Sequence, residues 1–290
     1  MEQFDVICIG HLAKDRIVIA DAARISTGGA VYYGGMVLRR LGLRVGVVTR
    51  LARVDFPLLD ELRSTGIQTF PVPSAETSGI ENVHPDPNSD RRICHLLGFA
   101  GTFRPQDLPP VDARLFYVGP IMPDEVDLPF LFAVAARGPI ALDVQGILRK
   151  RVGDELITGD WPWANRDIPF VRYLKVDDRE AAALTGQQDP RRAAEVLAEH
   201  RPQEIVLTRK EGVLVLADGR FHEAPFRPQS LAGRTGRGDT CFAAYLGRRL
   251  QGDTPHEATE FAAELTTMKL DQPGPFRGSV EEVLRRLRAG

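Results

Sequence analysis

The sequence predicts one α/β domain in which helices cover both faces of a mostly parallel central sheet, with a small β-rich addition. Two patterns predict this fold, one for the three-layer α/β/α arrangement and one for the small addition. Short apolar runs of strand length alternate with longer segments whose apolar residues recur at helical spacing. Between residues 67 and 103 this alternation gives way to short β-like runs, which predict the small addition. No internal repeat, low-complexity tract or linker divides the 290 residues.

The first part of the chain begins with residues 4–10, an apolar run that ends at a glycine and is typical of a buried central strand. A helix is predicted over residues 30–41, and Gly42 after it is a common helix end. The run 85–90, rich in proline and aspartate, predicts a turn between two strands. The same criteria predict strands at 16–20, 45–49, 69–72 and 92–97, and a second helix at 56–64.

From residue 114 onward the regular alternation of strands and helices resumes. Strands are predicted at 115–118, 140–143, 173–176, 204–208 and 213–216. Helices are predicted at 124–136, 179–184, 190–200, 240–251, 255–270 and 280–287. Ligands of such sheets bind beyond the carboxyl ends of the strands, so residues that follow strand ends are expected to share one rim. These are Gly10, Asp143, residues 176–178 and Thr208, together with the loop at Gly236.

The amino-acid composition indicates which partners and which cellular compartment to expect. Lysine and arginine number 37 against 39 acidic residues, a formal net charge of −2, which gives no electrostatic case for nucleic acid or an anionic membrane as the main partner. No apolar run approaches the roughly 20 residues that span a bilayer, and the first residues lack a basic leader. Cys8, Cys94 and Cys241 are far apart and odd in number, as expected of reduced thiols in a cytoplasmic protein.

The sequence lacks the motifs that are typical of several classes of enzyme. The six histidines form no closely spaced cluster, so a zinc site or a histidine-based nucleophile has little support. The chain contains no Gly-x-x-x-x-Gly-Lys-Ser/Thr run, which argues against a P-loop kinase. The first strand is not followed by Gly-x-Gly-x-x-Gly, which argues against a dinucleotide-dependent oxidoreductase.

The most informative stretch of the chain is residues 231–245, where three glycines precede a helix of small side chains. A glycine-rich loop that opens a helix presents free backbone N–H groups and a positive dipole end, and both bind phosphate. Asp239 would lie beside that anion site and could accept a hydroxyl proton, a combination that suits phosphoryl transfer. The alternative is an ordinary helix start with Asp239 as its N-cap.

Three further segments suggest ligand contacts. Asp15 follows the first strand by five residues, and a carboxylate there can accept hydrogen bonds from polyol hydroxyls; the alternative is a surface aspartate. Gly28 and Gly29 precede a helix and would permit close approach of a ligand. Asp177 and Glu180 stand three residues apart where a strand passes into a helix, which suits Mg²⁺ held through water. Their alternative role is to cap that helix.

Five segments, in this order along the chain, resemble the motifs of the ribokinase-like carbohydrate kinase family, also called the PfkB family. The segments similar to family motifs are the opening strand with Asp15, the Gly28–Gly29 pair, the acidic element at Asp177 and Glu180, the strand and loop around Thr208, and the closing glycine-rich signature. They occupy residues 9–15, 27–42, 175–186, 206–212 and 235–240. The resemblance runs nearly from end to end and implies a single ribokinase-like domain over residues 1–290.

The resemblance implies roles for individual residues. Asp239 would be the catalytic base, and the backbone of residues 236–239 would form an anion hole. Segments 11–26 and 78–104 would form a small β-sheet lid, through which two copies of the chain could dimerise. The implied catalytic loop is Gly236, Arg237, Gly238 and Asp239, and the implied acceptor contacts are Asp15, Gly28, Gly29 and Tyr33. The implied ATP contacts are Asp177, Thr208, Arg209, Gly212 and Gly238. Mg²⁺ would be bound near Asp177 and Glu180, mainly through water.

Four positions depart from the family pattern. Arg237 stands where alanine is usual, and an outward orientation of its side chain is favoured over an inward one. Gly233 stands where an aspartate often begins the signature, which leaves activation by a monovalent cation doubtful. Asp177 replaces the usual asparagine, and Arg209 occupies a position that is commonly glycine.

The predicted function is therefore an ATP-dependent kinase that phosphorylates a hydroxyl of a small sugar or polyol. Segments 142–149 and 270–276 look more like the inositol and nucleoside kinase branches than ribokinase itself. A nucleoside kinase on the same fold is the alternative within enzymes. A catalytically silent ligand-binding or regulatory protein is the alternative of another class, and the retention of Asp239 argues against it.

Overall fold

The protein is described by a computed structural model that covers residues 3–19, 22–84, 93–160, 162 and 168–289. Its strands and helices alternate as the sequence pattern predicts. The strands are β1 (Gln3–Ile9), β2 (Ala13–Ile19), β3 (Ala22–Gly28), β4 (Val45–Ala52), β5 (Gln68–Ser74), β6 (Gly79–His84), β7 (Ile93–Gly98), β8 (Asp112–Val118), β9 (Ile140–Asp143), β10 (Arg149–Val152), β11 (Glu155–Thr158), β12 (Val171–Asp177), β13 (Glu204–Thr208), β14 (Gly212–Ala217) and β15 (Arg220–Pro225). The α-helices are α1 (Ala30–Arg40), α2 (Asp60–Ser64), α3 (Leu128–Ala135), α4 (Gln145–Leu148), α5 (Asp178–Thr185), α6 (Pro190–Ala198), α7 (Arg237–Gln251), α8 (Pro255–Leu270) and α9 (Val280–Ala289).

Nine strands form the large sheet in the order β15-β14-β13-β12-β9-β8-β1-β4-β5. The pairs from β5 to β13 are parallel, and β14 and β15 add to one edge as antiparallel strands. The central strands are buried along nearly their whole length, because helices pack on both faces of the sheet. Separate apolar clusters lie on the two faces, so the predicted three-layer α/β/α fold is confirmed.

The small sheet has six strands in the order β10-β11-β7-β6-β2-β3. Three of them, β2, β6 and β7, lie within segments 11–26 and 78–104, and β3 extends two residues beyond the first segment. The hairpin of β10 and β11 adds two strands that the sequence did not predict. Alternate residues point to opposite faces of a strand, and Asp15 and Ile17 of β2 are buried on the inner face. The outer face exposes large apolar side chains, with Ile25 63% and Leu97 52% exposed.

The start of α3 differs from the prediction, because the helix begins at Leu128 and not at residue 124. Asp124 has a positive φ of 59°, which interrupts a helix. Asp127 is the N-cap, since its carboxylate accepts a hydrogen bond from the Phe130 N–H at 2.8 Å. Proline at the second helical position then suits the start of α3.

Other differences are local. Residues predicted as a helix at 56–64 form a 3₁₀ helix (Arg53–Leu59) followed by the short α2, and Pro57 lies inside the 3₁₀ segment. The strands β3 and β15 were not predicted, and the turn predicted at 85–90 lies outside the described residues. Cys8, Cys94 and Cys241 are buried free thiols. Among the helices of the described residues, none combines the length and the apolar character that crossing a bilayer would require.

Candidate active site

A cavity of about 510 Å³ lies where the carboxyl ends of β12 and β13 meet the start of α7 and the inner face of the small sheet. The residues that line it come from almost every segment with a predicted ligand contact. They are Asp15, Gly29, Tyr33, Ile80, Asn82, Ile121, Gln145, Arg149, Lys175, Asp177, Asp178, Arg179, Thr208, Lys210, Glu211, Arg234, Thr235, Gly236, Arg237, Gly238 and Asp239. The expectation that strand ends and the glycine loop share one rim is therefore confirmed for Asp177, Thr208 and Gly236.

The start of α7 forms one wall of this cavity. Gly236 is the N-cap with a φ of +76°, and a Cβ at this position would lie 2.4 Å from the ring of Tyr33, so only glycine fits. The first N–H groups of this 15-residue helix and its positive dipole end face the cavity. Asp239 lies in the first turn and also lines the cavity. The wall thus combines anion-binding amides with a carboxylate that can accept a proton.

Lys175 lies directly beneath this wall, and sequence reasoning assigned it no role. Its ammonium donates to the carboxylate of Asp143 at 2.9 Å, and its side chain is 3% exposed. Burial alone would lower the pKa of Lys175, but the carboxylates of Asp143, Glu180 and Asp239 raise it above its usual value. Lys175 is therefore a permanent positive charge beside Gly238, where an added Cβ would lie 3.2 Å from the lysine Cε. A lysine within the apolar strand β12 was the sequence signal for this residue.

Asp177 and Glu180 form the capping arrangement that was the alternative to a metal site. The Glu180 N–H donates to Asp177 Oδ1 and the Asp177 N–H donates to Glu180 Oε2, both at 2.7 Å. Burial raises the pKa of Glu180, and Lys175 opposes that effect. Only Asp177 of the pair lines the cavity.

The described residues contain no group of three or more His, Cys, Asp or Glu side chains placed to hold a metal ion directly. The second oxygen of Asp177 is outside the capping bonds, and its residue faces the cavity. This donor set fits Mg²⁺ bound mainly through water, which is how Mg²⁺ is commonly held.

The opposite end of the cavity is built around Asp15. This carboxylate is 6% exposed, and its Oδ1 accepts a hydrogen bond from the Ile80 N–H at 2.9 Å. A Cβ on Gly28 would lie 2.2 Å from Asp15 Oδ2, so Gly28 makes room for the carboxylate and does not line the cavity itself. Gly29, with φ +100°, and Tyr33 do line it. Asn82 of β6 also lines the cavity beside them, and the sequence did not identify it.

The end of the cavity at β13 differs from expectation at two residues. Thr208 lines the cavity, but Arg209 and Gly212 do not. The Arg209 guanidinium forms an ion pair with Glu223, and the backbone N–H of Arg209 donates to the Gly212 carbonyl at 2.8 Å within the β13–β14 connection. Lys210 and Glu211 face the cavity in their place. These residues belong to the connection between β13 and β14, and a linear motif does not reveal which side chains of such a connection face a cavity.

Most side chains that line the cavity are charged or polar. The cationic ones are Arg149, Lys175, Arg179, Lys210, Arg234 and Arg237. Arg237 is half-buried and lines the cavity. The large apolar and aromatic side chains of the lining are Tyr33, Ile80 and Ile121.

Comparison with known proteins places the chain among kinases. The family described as pfkB family carbohydrate kinase matches residues 5–281. The cytidine kinase of Thermococcus kodakarensis is 26% identical over 279 residues, which cover 90% of this chain and 94% of that enzyme.

Two solved structures of a pyrophosphate-dependent kinase in the ribokinase family are also similar. The sulfate complex is 33% identical with a TM-score of 0.89, and the complex with a pyrophosphate analog and myo-inositol is 32% identical with a TM-score of 0.89. Each comparison covers 97% of this chain and 99% of the other. Since the family match extends over nearly the whole length and the fold agrees, the chain belongs to the PfkB family of carbohydrate kinases and has the ribokinase-like fold.

Proposed function

We propose that this kinase transfers a phosphoryl group to a hydroxyl of a small polyol, with Asp239 as the general base. The observation that carries the proposal is the placement of Asp239 in the first turn of α7, where helix amides face the same cavity as the buried Asp15. Asp15 would bind and orient the acceptor hydroxyls. Asp239 would accept the proton of the attacking hydroxyl, and the N–H groups of residues 236–239 would stabilise the charge on the transferred group.

The neighbouring groups support this chemistry. Lys175 supplies a fixed positive charge beneath Gly238, close to where the transferred phosphoryl group would lie. Mg²⁺, held through water near Asp177 and Glu180, would offset the charge of the donor phosphates. The inner face of the small sheet, with Asp15, Ile80 and Asn82, would act as a lid that keeps water from competing with the acceptor.

We propose inorganic pyrophosphate as the donor, with ATP, the donor predicted from the sequence, as the second candidate. The cavity is lined by six arginine and lysine side chains and by three large apolar or aromatic ones, Tyr33, Ile80 and Ile121. Pyrophosphate needs only charged partners, whereas an adenine ring needs an apolar face. The similarity to kinases described as pyrophosphate-dependent, at 32–33% identity, supports the same choice.

We propose an inositol-like polyol as the acceptor. Asp15, Asn82, Gln145 and Arg149 offer hydrogen-bond partners to several hydroxyls around one cavity. A similar structure binds myo-inositol, which supports this choice. A nucleoside acceptor is the second candidate, and the similarity to a cytidine kinase at 26% identity supports it.

A matrix of donors and acceptors tests these choices. Pyrophosphate, ATP and GTP would each be combined with myo-inositol, ribose, fructose, cytidine and adenosine, and the phosphorylated product would be measured by mass spectrometry. The proposal expects the highest kcat/KM for pyrophosphate with myo-inositol. Transfer only from ATP to a nucleoside would replace it with the second candidates. Ligand binding without transfer for any pair would support the catalytically silent alternative.

Replacing Arg237 with alanine tests the donor end of the cavity. Because Arg237 is half-buried and lines the cavity, we propose that its guanidinium binds the donor, and we expect kcat/KM for the donor to fall by about tenfold or more, equivalent to about 1.4 kcal/mol. Arg209→Ala is the matched control, since the Arg209 guanidinium is paired with Glu223 and does not line the cavity. Steady-state kinetics on both variants measure the effect. A loss below tenfold in Arg237→Ala would support the outward orientation favoured by the sequence.

Replacing Glu180 with glutamine separates metal binding from helix capping. Supporting residues around metal sites typically contribute a factor of about 10–100 to affinity, so we expect the Mg²⁺ concentration for half-maximal rate to rise about tenfold. Glu257→Gln is the control, because Glu257 forms the same capping arrangement with Thr254 on α8, outside the residues that line the cavity. If both variants lose thermal stability and neither changes its Mg²⁺ dependence, Glu180 acts only as a cap.

The homodimer predicted through the lid stays a prediction. The outer face of the small sheet supports it, because Ile25, Leu97, Val152 and Ile157 lie on this face and are 63%, 52%, 54% and 39% exposed. Exposed apolar side chains grouped on one sheet face are typical of a contact surface.

A further inference from the structure

Lys269, in the last turn of α8, is a buried lysine with an unusual environment. It is 2% exposed, although lysines are almost never fully buried without a charged partner. Its ammonium donates to the backbone carbonyls of Gly233 and Thr235, which belong to the loop that precedes α7. The same ammonium lies 5.3 Å from the centroid of the Tyr33 ring, within the range of a cation–π contact.

These hydrogen bonds define how the loop presents its amides. In a trans peptide the carbonyl and the following N–H point in opposite directions. Because the carbonyls of Gly233 and Thr235 point toward Lys269, the N–H groups of Arg234 and Gly236 lie on the far edges of the same peptide planes. Arg234, Thr235 and Gly236 line the cavity on that far side. Lys269 therefore orients the peptide units that open the anion-binding wall.

The loop is also packed tightly against the end of α8. The Gly233 N–H donates to the Leu270 carbonyl at 2.8 Å, and a Cβ at Gly233 would lie 2.0 Å from the Gln272 carbonyl oxygen. On the other side, the Tyr33 ring fills the space next to Gly236. The ammonium is thus enclosed by backbone and one aromatic ring, with little freedom to leave its two carbonyls.

The charge of Lys269 is sensitive to its surroundings. Burial lowers the pKa of Lys269 to about 8, Asp239 of α7 opposes this effect, and Arg237 of α7 adds to it. The facing group on α1 is Tyr33, and burial raises the pKa of its hydroxyl, so it remains neutral over the working range. The positive charge at this position is therefore present at neutral pH and lost as the pH rises through about 8.

We propose that Lys269 is a positioning residue whose ammonium acts as a built-in cation for the anion-binding loop. By holding the carbonyls of Gly233 and Thr235, it turns the neighbouring amides toward the phosphoryl group. Its charge also adds to the positive potential behind that wall. This inference rests on the proposed phosphoryl transfer at Asp239 and assigns no contact between Lys269 and the substrates.

The test compares Lys269→Met and Lys269→Ala with Lys14→Met. Lys14 is an exposed lysine paired with Asp55, and its removal controls for the loss of one positive charge. We expect both Lys269 variants to lose about tenfold to hundredfold in kcat, because misdirected anion-hole donors cost rates of this order, with the acceptor KM nearly unchanged. Ammonium chloride should restore part of the rate in Lys269→Ala, which has space for the ion, and not in Lys269→Met.

The pH profile of the wild type supplies an independent readout. Its kcat should fall as the pH rises through about 8, since the charged ammonium is the active form, and Lys269→Met should lack this step. If Lys269→Met fails to fold by circular dichroism, a wild-type kcat that stays constant to pH 9.5 would still overturn the proposal. A folded Lys269→Met with kcat within threefold of the wild type would overturn it as well.

Failure of the proposed function is distinguishable from failure of this inference. If the wild type transfers no phosphoryl group, the proposed reaction is wrong, but the loop can still be tested by binding. Calorimetry with inorganic pyrophosphate should then show about tenfold weaker binding in Lys269→Met and unchanged binding in Lys14→Met. Equal affinity in all three proteins would reject the role of Lys269.

Discussion

Replacing Asp239 with asparagine is expected to lower kcat by about 10²–10⁴-fold, the usual contribution of general-base catalysis. Asparagine keeps the size of the side chain but cannot accept the hydroxyl proton. Asp239 lies in the first turn of α7 and lines the cavity next to the anion-binding amides, so no other change in the wall is expected. The KM for the donor should stay within a few fold, because the amides that bind phosphate are backbone groups.

Single-turnover measurements with the preferred donor and acceptor would isolate the chemical step. Asp60→Asn is the matched control, because Asp60 is a first-turn aspartate of α2 that does not line the cavity. The control should leave kcat unchanged. A loss under about tenfold in Asp239→Asn would count strongly against the base role and would favour the alternative in which Asp239 only caps the helix.

Replacing Asp15 with alanine should weaken acceptor binding far more than donor binding. Each hydrogen bond to a charged group contributes about 1.5–3 kcal/mol, so loss of two acceptor contacts predicts a rise in Kd of about a hundredfold or more. Asp15 is buried and lies at the end of the cavity opposite Arg179 and Lys210, which explains why the donor should be little affected.

Asp15→Asn serves as the companion variant, because an amide oxygen can still accept the Ile80 N–H bond that Asp15 Oδ1 now accepts. It should preserve the position of β6 and lose only part of the acceptor affinity. Isothermal titration calorimetry with each ligand alone measures both effects. Equal weakening of donor and acceptor in Asp15→Ala would mean that Asp15 supports the whole cavity and does not select the acceptor.

The fold was largely predictable because its signals are local. Buried parallel strands such as β1 and β13 appear as short apolar runs, and helices such as α8 show helical spacing that ends at a recognisable boundary. The hairpin of β10 and β11 escaped prediction because its residues are mostly exposed and polar, so they show no apolar alternation. Its place in the small sheet depends on pairing with β7, which is distant in sequence.

The residues of the candidate site also fall into two groups, those identified from the sequence and those found only in the structure. Asp239, Asp15, Asp177 and Thr208 were identified from the sequence, because each stands next to a glycine motif or a strand end. Lys175, Asn82 and Lys269 were not. The apolar strand around Lys175 was a signal that the analysis of the sequence did not use. Nothing in the immediate neighbourhood of Asn82 or Lys269 distinguishes it from a residue that faces solvent.

By itself, the sequence determined the layer architecture, the rim proposed to bind the ligands and the carboxylate proposed as the base, since all three follow from short-range patterns. Only the tertiary structure decided which side chains meet across that rim. It brings the ammonium of Lys269 to carbonyls more than thirty residues earlier in the chain, at Gly233 and Thr235. It also turns Arg209 away toward Glu223 while Lys210 faces the cavity. The physical reason is that hydrogen bonds and charge interactions depend on distance in space, which chain order does not specify until the strands and helices have packed.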